Sequence, residues 1–325
     1  MTGDLTIGID IGGTSIRAAV VDERGQIVDT ARAQTPATAW ALEKCLDHMV
    51  DRLRSRSEVV AVGLAIAGFL TPDRSVVRFA PHLPWRETAV AAEMSGRTGL
   101  PVSCEHDANA AAIAERRFGA AAGGHNTIVL AIGTGIGVGF LLEGEIYRGS
   151  HGVAPELGHL QVVVDGRPCS CGKRGCWERY CSGTALVDNV VEIVADGRVP
   201  TSALAREIAE DPGSLTGRRV AAAAHDGDPV AVAAFADFAR WLGQGMAMIA
   251  DIFDPDLIVL AGGVGAAGGL FLDEAREHYG AMVTGSGHRR LARIRSTQLG
   301  EAAGMIGAAA VARSDLADGV PVLRG

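Results

Sequence analysis

His159, Cys169, Cys171 and Cys176 stand in the spacing H-x9-C-x-C-x4-C, inside GHLQVVVDGRPCSCGKRGCWE. Three thiolates and one imidazole complete a tetrahedral Zn2+ shell with no position left for water, the pattern of a structural ion rather than a catalytic one. Gly172 and Gly175 supply the tight turns that a knuckle of backbone around a metal needs. The competing reading is a disulfide pair or a set of small buried hydrophobes. A structural ion holds a loop in shape, so the question becomes what the loop carries. Two carboxylates flank the cluster, Glu156 on the amino-terminal side of the histidine and Glu178 just past the last cysteine.

Elements long enough to position such a site are available in a chain of 325 residues with 48% hydrophobic content, enough for two domains with cores of their own. A net charge of -8, with no basic cluster beyond pairs such as Arg116-Arg117, argues against a phosphate-backbone binder, so nucleic acid is not an expected partner. No apolar run is long enough to span a bilayer, and MTGDLTIGID lacks the basic start and apolar core of a signal peptide, which predicts a cytoplasmic protein with no membrane partner. In a reducing compartment, four of the six cysteines falling between 169 and 181 fit a metal better than disulfides. Cys45 and Cys104 stand alone and read as core residues.

The only lysines are Lys44 and Lys173, and neither follows a glycine-rich loop, so the G-x-x-x-x-G-K-[ST] phosphate loop is absent. Any nucleotide phosphate must be held by backbone amides, hydroxyls, Arg and Mg2+. Turns suited to that work are present. Leu5 to Asp10 reads as a buried strand running into Gly12-Gly13-Thr14 and a second strand at Ile16 to Val21. The arrangement recurs at Thr127 to Ile132, Gly133-Thr134-Gly135 and Ile136 to Leu142, an internal repeat of a hairpin. Either turn alone is no more than a glycine-rich hairpin; two that present N–H groups and a Thr hydroxyl to one cleft can grip a polyphosphate from both sides. A third turn, Gly262-Gly263-Val264, follows the apolar run Leu257 to Ala261 and offers a resting place for a purine. The long stretch Pro229 to Phe253 has the spacing of a buried helix, with Phe235, Phe238, Leu242, Ile249 and Phe253 toward the core. Gly68, after Val59 to Ala67, and the turn Pro81-His82-Leu83-Pro84 belong to the other side of a cleft. Asp107 follows a short strand and precedes an Ala-rich helix.

DIGGT at 10–14, HDANAAA at 106–112, IGTGIGVG at 132–139, PELGH through CWERYCSG at 155–183 and AGGV at 261–264 together resemble the ROK family of sugar kinases, most of all its actinobacterial-type glucokinases. The resemblance covers essentially the whole chain in order. It implies an α/β, actin-like ATPase (ribonuclease H-like) fold of two domains with a zinc-binding loop: a small domain over 1–115 completed by a C-terminal helix at 300–315, and a large domain over 116–299. It also implies ATP, Mg2+ and structural Zn2+ as cofactors, phosphorylation of the 6-hydroxyl of a glucose-type hexose, and a homodimer or homotetramer. In its terms Asp107 is the base that accepts the hydroxyl proton as the terminal phosphoryl arrives in line. Asp10, otherwise a turn-forming residue, positions Mg2+ through water beside the phosphate-holding Gly12, Gly13, Thr14, Gly133, Thr134 and Gly135, with Gly262, Gly263 and Val264 on the adenosine side. Glu156, His159 and Glu178 are similar to residues that bind the C1 to C3 hydroxyls, His159 having one ring nitrogen on zinc and the other toward the sugar.

Two positions depart from the family. His106 stands where such glucokinases have Asn before the base, and His82 where they have Asn in the P-N-L turn. Both departures fall on the sugar side, with Gly68. Imidazole supplies a donor and an acceptor as an amide does, which leaves glucose as substrate; the alternative is a C3-modified glucose such as kanosamine, or a cyclitol. A repressor of the same family would need a helix-turn-helix, and the first strand begins about five residues into the chain. A hydrolytic zinc enzyme would need an open metal position that the fourth ligand removes.

Overall fold

The computed structural model describes residues 4–199, 202–211, 213 and 215–319. Contacts divide it into two units. The first holds the described residues up to Gly124, Gly139–Pro155, and those from Glu301 onward; the second holds His125–Val138 and Glu156–Gly300.

The first unit opens with β1 (Leu5–Ile11), β2 (Ser15–Val21), β3 (Ile27–Gln34), α1 (Ala39–Arg54) and β4 (Val59–Ile66). It continues through β5 (Phe69–Leu70), β6 (Val77–Phe79), β7 (Arg86–Thr88), α2 (Val90–Thr98), β8 (Val102–His106) and α3 (Asp107–Phe118). Its main sheet runs β3-β2-β1-β4-β8, with β1 antiparallel to β2 and parallel to β4, and β4 parallel to β8. Strand β4 reads as an unbroken apolar run, and β1 as one interrupted only by Thr6 and Asp10, because both of their faces are covered. On one face the α1 stripe Leu42, Leu46, Met49, Val50 and Leu53 packs over Ile7, Ile9, Ile11 and Leu64. Thr38 starts that helix by accepting the Ala41 N–H at 3.3 Å.

The chain then passes through β9 (Thr127–Ile132), β10 (Ile136–Leu142), β11 (Glu145–Ile146), α4 (Gly183–Ala195), α5 (Ala203–Glu210), α6 (Gly217–His225), α7 (Pro229–Phe253), β12 (Leu257–Ala261), α8 (Leu272–Met282) and β13 (Arg293–Ser296). The second sheet runs β11-β10-β9-β12-β13, with β9, β12 and β13 parallel. This order matches that of the first sheet: the hairpin's first strand lies at the centre and parallel strands extend beyond it. Helix α7 has the bounds its apolar spacing predicts. Asp228 caps it, Pro229 opens it, and Asp254 ends it at φ 43°. Phe235 and Phe238 are buried against Phe271, whereas Phe253 is half-buried rather than a core residue.

The last helix, α9 (Ala303–Ala317), returns to the first unit and fills the other face of its sheet. The fit is backbone on backbone. A Cβ on Gly8 would lie 1.9 Å from the Met305 carbonyl oxygen, one on Gly63 1.8 Å from that of Ala308, and one on Gly307 1.7 Å from that of Ala110. No side chain is possible at these three points without moving the helix.

Candidate active site

In the first unit, β8 ends on His106 and α3 begins on Asp107. Asp107 Oδ1 accepts the Ala108 N–H at 2.7 Å and lies 3.2 Å from His106 Nε2. The turn rests on Glu105, which accepts the His106 N–H and the Asn109 amide at 3.0 Å each and is gripped by Arg148, Nε at 3.2 Å from Oε2. Arg74 stands 3.8 Å behind it and pairs with Asp315 at 2.9 Å. Glu105 is 2% exposed and Asp107 40%, so of these two carboxylates only Asp107 can meet a substrate.

Gly12, Gly13 and Thr14 join β1 to β2. The Gly12 N–H donates to Ser15 O at 3.1 Å, and Thr35 fixes the loop from outside, its hydroxyl on Gly12 O at 2.6 Å and its N–H on Thr14 O at 3.1 Å. Asp10 accepts from Arg17 Nη2 at 3.0 Å, while Arg17 Nη1 reaches Glu301 at 2.9 Å. Burial pushes the Asp10 carboxyl up to about 6 against the pull of Arg17, with the charges of Asp107 and Glu301 adding to the rise. His82 lies over the same turn: a Cβ on Gly13 would be 2.7 Å from His82 Cβ and 3.3 Å from Cγ. The loop carrying His82 is clamped by Arg86, whose Nη1 donates to the carbonyls of Ala80, Leu83 and Trp85 at 2.8, 2.7 and 2.6 Å. Gly68 packs against Phe79 and Ala80 of that loop, with room for no side chain.

The second unit assembles the remaining predicted residues. The Gly133 N–H closes its turn on Gly135 O at 3.0 Å, and α4 starts against it, the Gly183 N–H donating to Gly133 O at 2.7 Å and the Thr184 hydroxyl to Thr134 O at 2.9 Å. The turn Gly262-Gly263-Val264 returns to the same place, its Val264 N–H on Ile132 O at 3.2 Å and Gly262 at φ 85°. Two glycine turns and a helix amino terminus therefore converge, an arrangement that suits an anion.

His159 Nδ1 lies 3.6 Å from Cys169 Sγ, Cys171 Sγ lies 3.6 Å from Cys176 Sγ, and all four donors fall within 4.8 Å of one another. Tetrahedral bonds of zinc length require separations of about 3.6 Å between N and S and about 3.8 Å between sulfurs, so the four donors fit such an ion. Bridges Gln161–Cys176 and Pro168–Arg174 build the knuckle, and Lys173 Nζ donates to His159 O at 2.7 Å. Glu178 Oε1 stands 3.1 Å from Cys169 Sγ and 3.5 Å from His159 Nδ1, and Glu156 Oε2 stands 4.0 Å from His159 Nε2. The four candidate donors thus stand beside both carboxylates. Glu178 also covers the turn at 133–135, 2.4 Å from a Cβ built on Gly135.

The predicted residues fall into two groups. Asp10, Gly12, Gly13, Thr14, Gly68, His82, His106 and Asp107 are in the first unit; Gly133–Gly135, Glu156, His159, the three cysteines, Glu178 and Gly262–Val264 are in the second. Sequence reasoning passed over Glu105, Arg148, Arg17 and Arg86, which fix the Asp107 turn, Asp10 and the His82 loop. Only Glu105 carried a signal, as a charge inside the otherwise buried strand VSCEH.

The chain is 41% identical to the glucokinase of Streptomyces coelicolor over 95% of its own length and 98% of that protein's, and 33% identical to the glucokinase of Halalkalibacterium halodurans over 93% and 92%. Its structure matches that of a ROK family glucokinase from Streptomyces griseus, solved in complex with glucose and AMPPNP, at a TM-score of 0.85 and 41% identity over 95% and 99% of the two chains. The α/β, actin-like architecture expected from the motifs is borne out by that likeness. Since the sequence pattern of the ROK family also matches residues 6–315, this chain belongs to the ROK family.

Proposed function

We propose that this protein is an ATP-dependent glucokinase of the cytoplasm, transferring the terminal phosphoryl group of ATP to the 6-hydroxyl of glucose. One observation carries the reading: a half-exposed carboxylate, Asp107, on a turn locked by a buried one, Glu105, in a chain 41% identical to a glucokinase over nearly its whole length. Asp107 takes the proton of the hydroxyl as its oxygen attacks the γ-phosphorus. Glu156, His159 and Glu178 hold the sugar hydroxyls, so the donor set that fits zinc is a clamp support and not a reaction centre. The glycine turns at 12–14 and 133–135 hold the phosphates and 262–264 the adenosine. Asp10 is suited to hold Mg2+ through water, and Mg2+ when bound neutralises phosphate charge. Among the described residues no helix is long and apolar enough to cross a membrane.

The C3-modified alternatives, kanosamine or a cyclitol, are not favoured, because the relatives at 41% identity are glucokinases and an imidazole at 106 replaces both hydrogen-bonding functions of an amide. The test is ADP release measured across glucose, mannose, N-acetylmannosamine and 3-amino-3-deoxyglucose with ATP as donor. Glucose is expected to give the highest kcat/KM; a protein that releases ADP no faster with glucose than without it is not a glucokinase.

A further inference from the structure

We infer that His82 is a further catalytic residue of this reaction, donating a hydrogen bond to the phosphoryl group in transit rather than to the sugar ring. The inference rests on the kinase reading above and assigns a role within it. Three observations carry it. First, His82 stands on the phosphate turn itself: its Cβ and Cγ occupy the space beside Gly13 that any Cβ there would need, at 2.7 and 3.3 Å. Second, its ring is exposed and forms no hydrogen bond or ion pair with the described residues, while its loop is fixed by three carbonyl contacts to Arg86. A donor held in place before the reaction costs no reorganisation when charge develops. Third, Arg17 and Lys173 are committed elsewhere. Arg17 is paired with Asp10 and Glu301, Lys173 donates to His159 O, and Lys44 lies on α1.

A phosphoryl group in flight spreads its charge over three oxygens, and in the absence of a motif lysine these need donors from elsewhere. Imidazole has an N–H in either protonation state. In the step, the hydroxyl proton passes to Asp107, the new O–P bond forms as the bond from γ-phosphorus to the bridging oxygen breaks, and the electron pair leaves with ADP. His82 gives and takes no proton.

The experiment is steady-state kinetics of His82→Phe and His82→Asn with ATP and with ATPγS, each at saturating glucose. Thermal unfolding of each variant checks its fold. Losing a donor to the transition state should lower kcat by about 10^2- to 10^3-fold in His82→Phe, in the range seen when one preorganised donor is removed. The glucose KM should stay within about threefold of wild type, since a group that acts only in the transition state leaves ground-state binding alone. The ratio of kcat with ATP to kcat with ATPγS should shrink, because sulfur already weakens the bond that the variant lacks. His82→Asn, the smaller change, should show the same pattern in weaker form and serves if His82→Phe does not fold. A glucose KM raised about tenfold or more, with kcat and the thio ratio unchanged, would place His82 on the sugar and overturn the inference. Wild-type kinetics in both variants would overturn it too, whereas a wild-type protein inert toward glucose would instead sink the reading on which it stands.

Discussion

Asp107 and Glu105 share one turn, and their surroundings divide the labour between them. Glu105 is spent on anchoring: its oxygens are taken by a backbone N–H, an amide and a guanidinium, so it has no capacity left for a substrate proton. Asp107 keeps an open face. Asp107→Asn preserves size but cannot accept a proton, so kcat should fall by about 10^2- to 10^4-fold, the usual weight of a general base, while glucose binding measured by calorimetry survives. A variant retaining a tenth or more of wild-type kcat would remove Asp107 from the role. Asp10 carries a different cost. Its carboxyl titrates at about 6 in the fold against an ordinary 3.8, so between those values the native state holds a proton that the unfolded chain has lost. The burial penalty is therefore present in full above pH 6 and fades as pH falls toward 4, by about 1.4 kcal/mol for each pH step between the two values, or roughly 2–3 kcal/mol in all. Asp10→Asn should lose activity yet unfold at a higher temperature than wild type at pH 7.5, with the gap closing near pH 4. A gap that does not change with pH would mean that burial is not the cause. The place of Asp107 between a strand and an Ala-rich helix was legible in the local pattern, while its role came from the family resemblance; the ties of Glu105 to Arg148 were not legible, since a pairing across 43 residues leaves no local pattern.

At the scale of elements, legibility follows length and period. Helix α7 and the two glycine hairpins were readable because long apolar patterns and Gly-Thr turns are local signals. The sheet β5-β6-β7, with strands of two or three residues, is too short to show any alternation. The knuckle at 159–176 was the most legible of all, because ligand spacing is itself geometry. It also makes the firmest prediction. Burial pushes the Cys169 thiol up to about 12, so an ion bound there would have to supply what the thiolate form costs. Cys171→Ser should lower bound zinc, measured by plasma emission, well below one ion per chain. It should also lower Tm, by about 4–8 °C for each 2 kcal/mol lost in a chain of this size, and raise the glucose KM as Glu156 and Glu178 lose their support. Metal content and stability equal to wild type would show that the sulfurs do not hold the ion.

Across the whole molecule, two sheets repeat one strand order, and the sequence showed this only as two similar hairpins. The parallel strands added beyond each hairpin escaped notice as a repeat because their sequences share nothing but apolar character. Nor could the pattern disclose which glycines face a helix backbone: Gly8 and Gly63 sit in apolar strands that look the same with or without α9 above them. That contact has a consequence for how the protein is made. The sheet of the first unit is complete once residue 106 has been synthesised, but α9, which covers one of its faces, emerges some 200 residues later, after all of the second unit. During translation the second unit can close its core first, while the earlier-made sheet waits with an apolar face in water, open to chaperones and to other nascent chains. The order of synthesis and the order of completion are opposite here, and α9, made after the whole of the second unit, is the helix that finishes the first sheet.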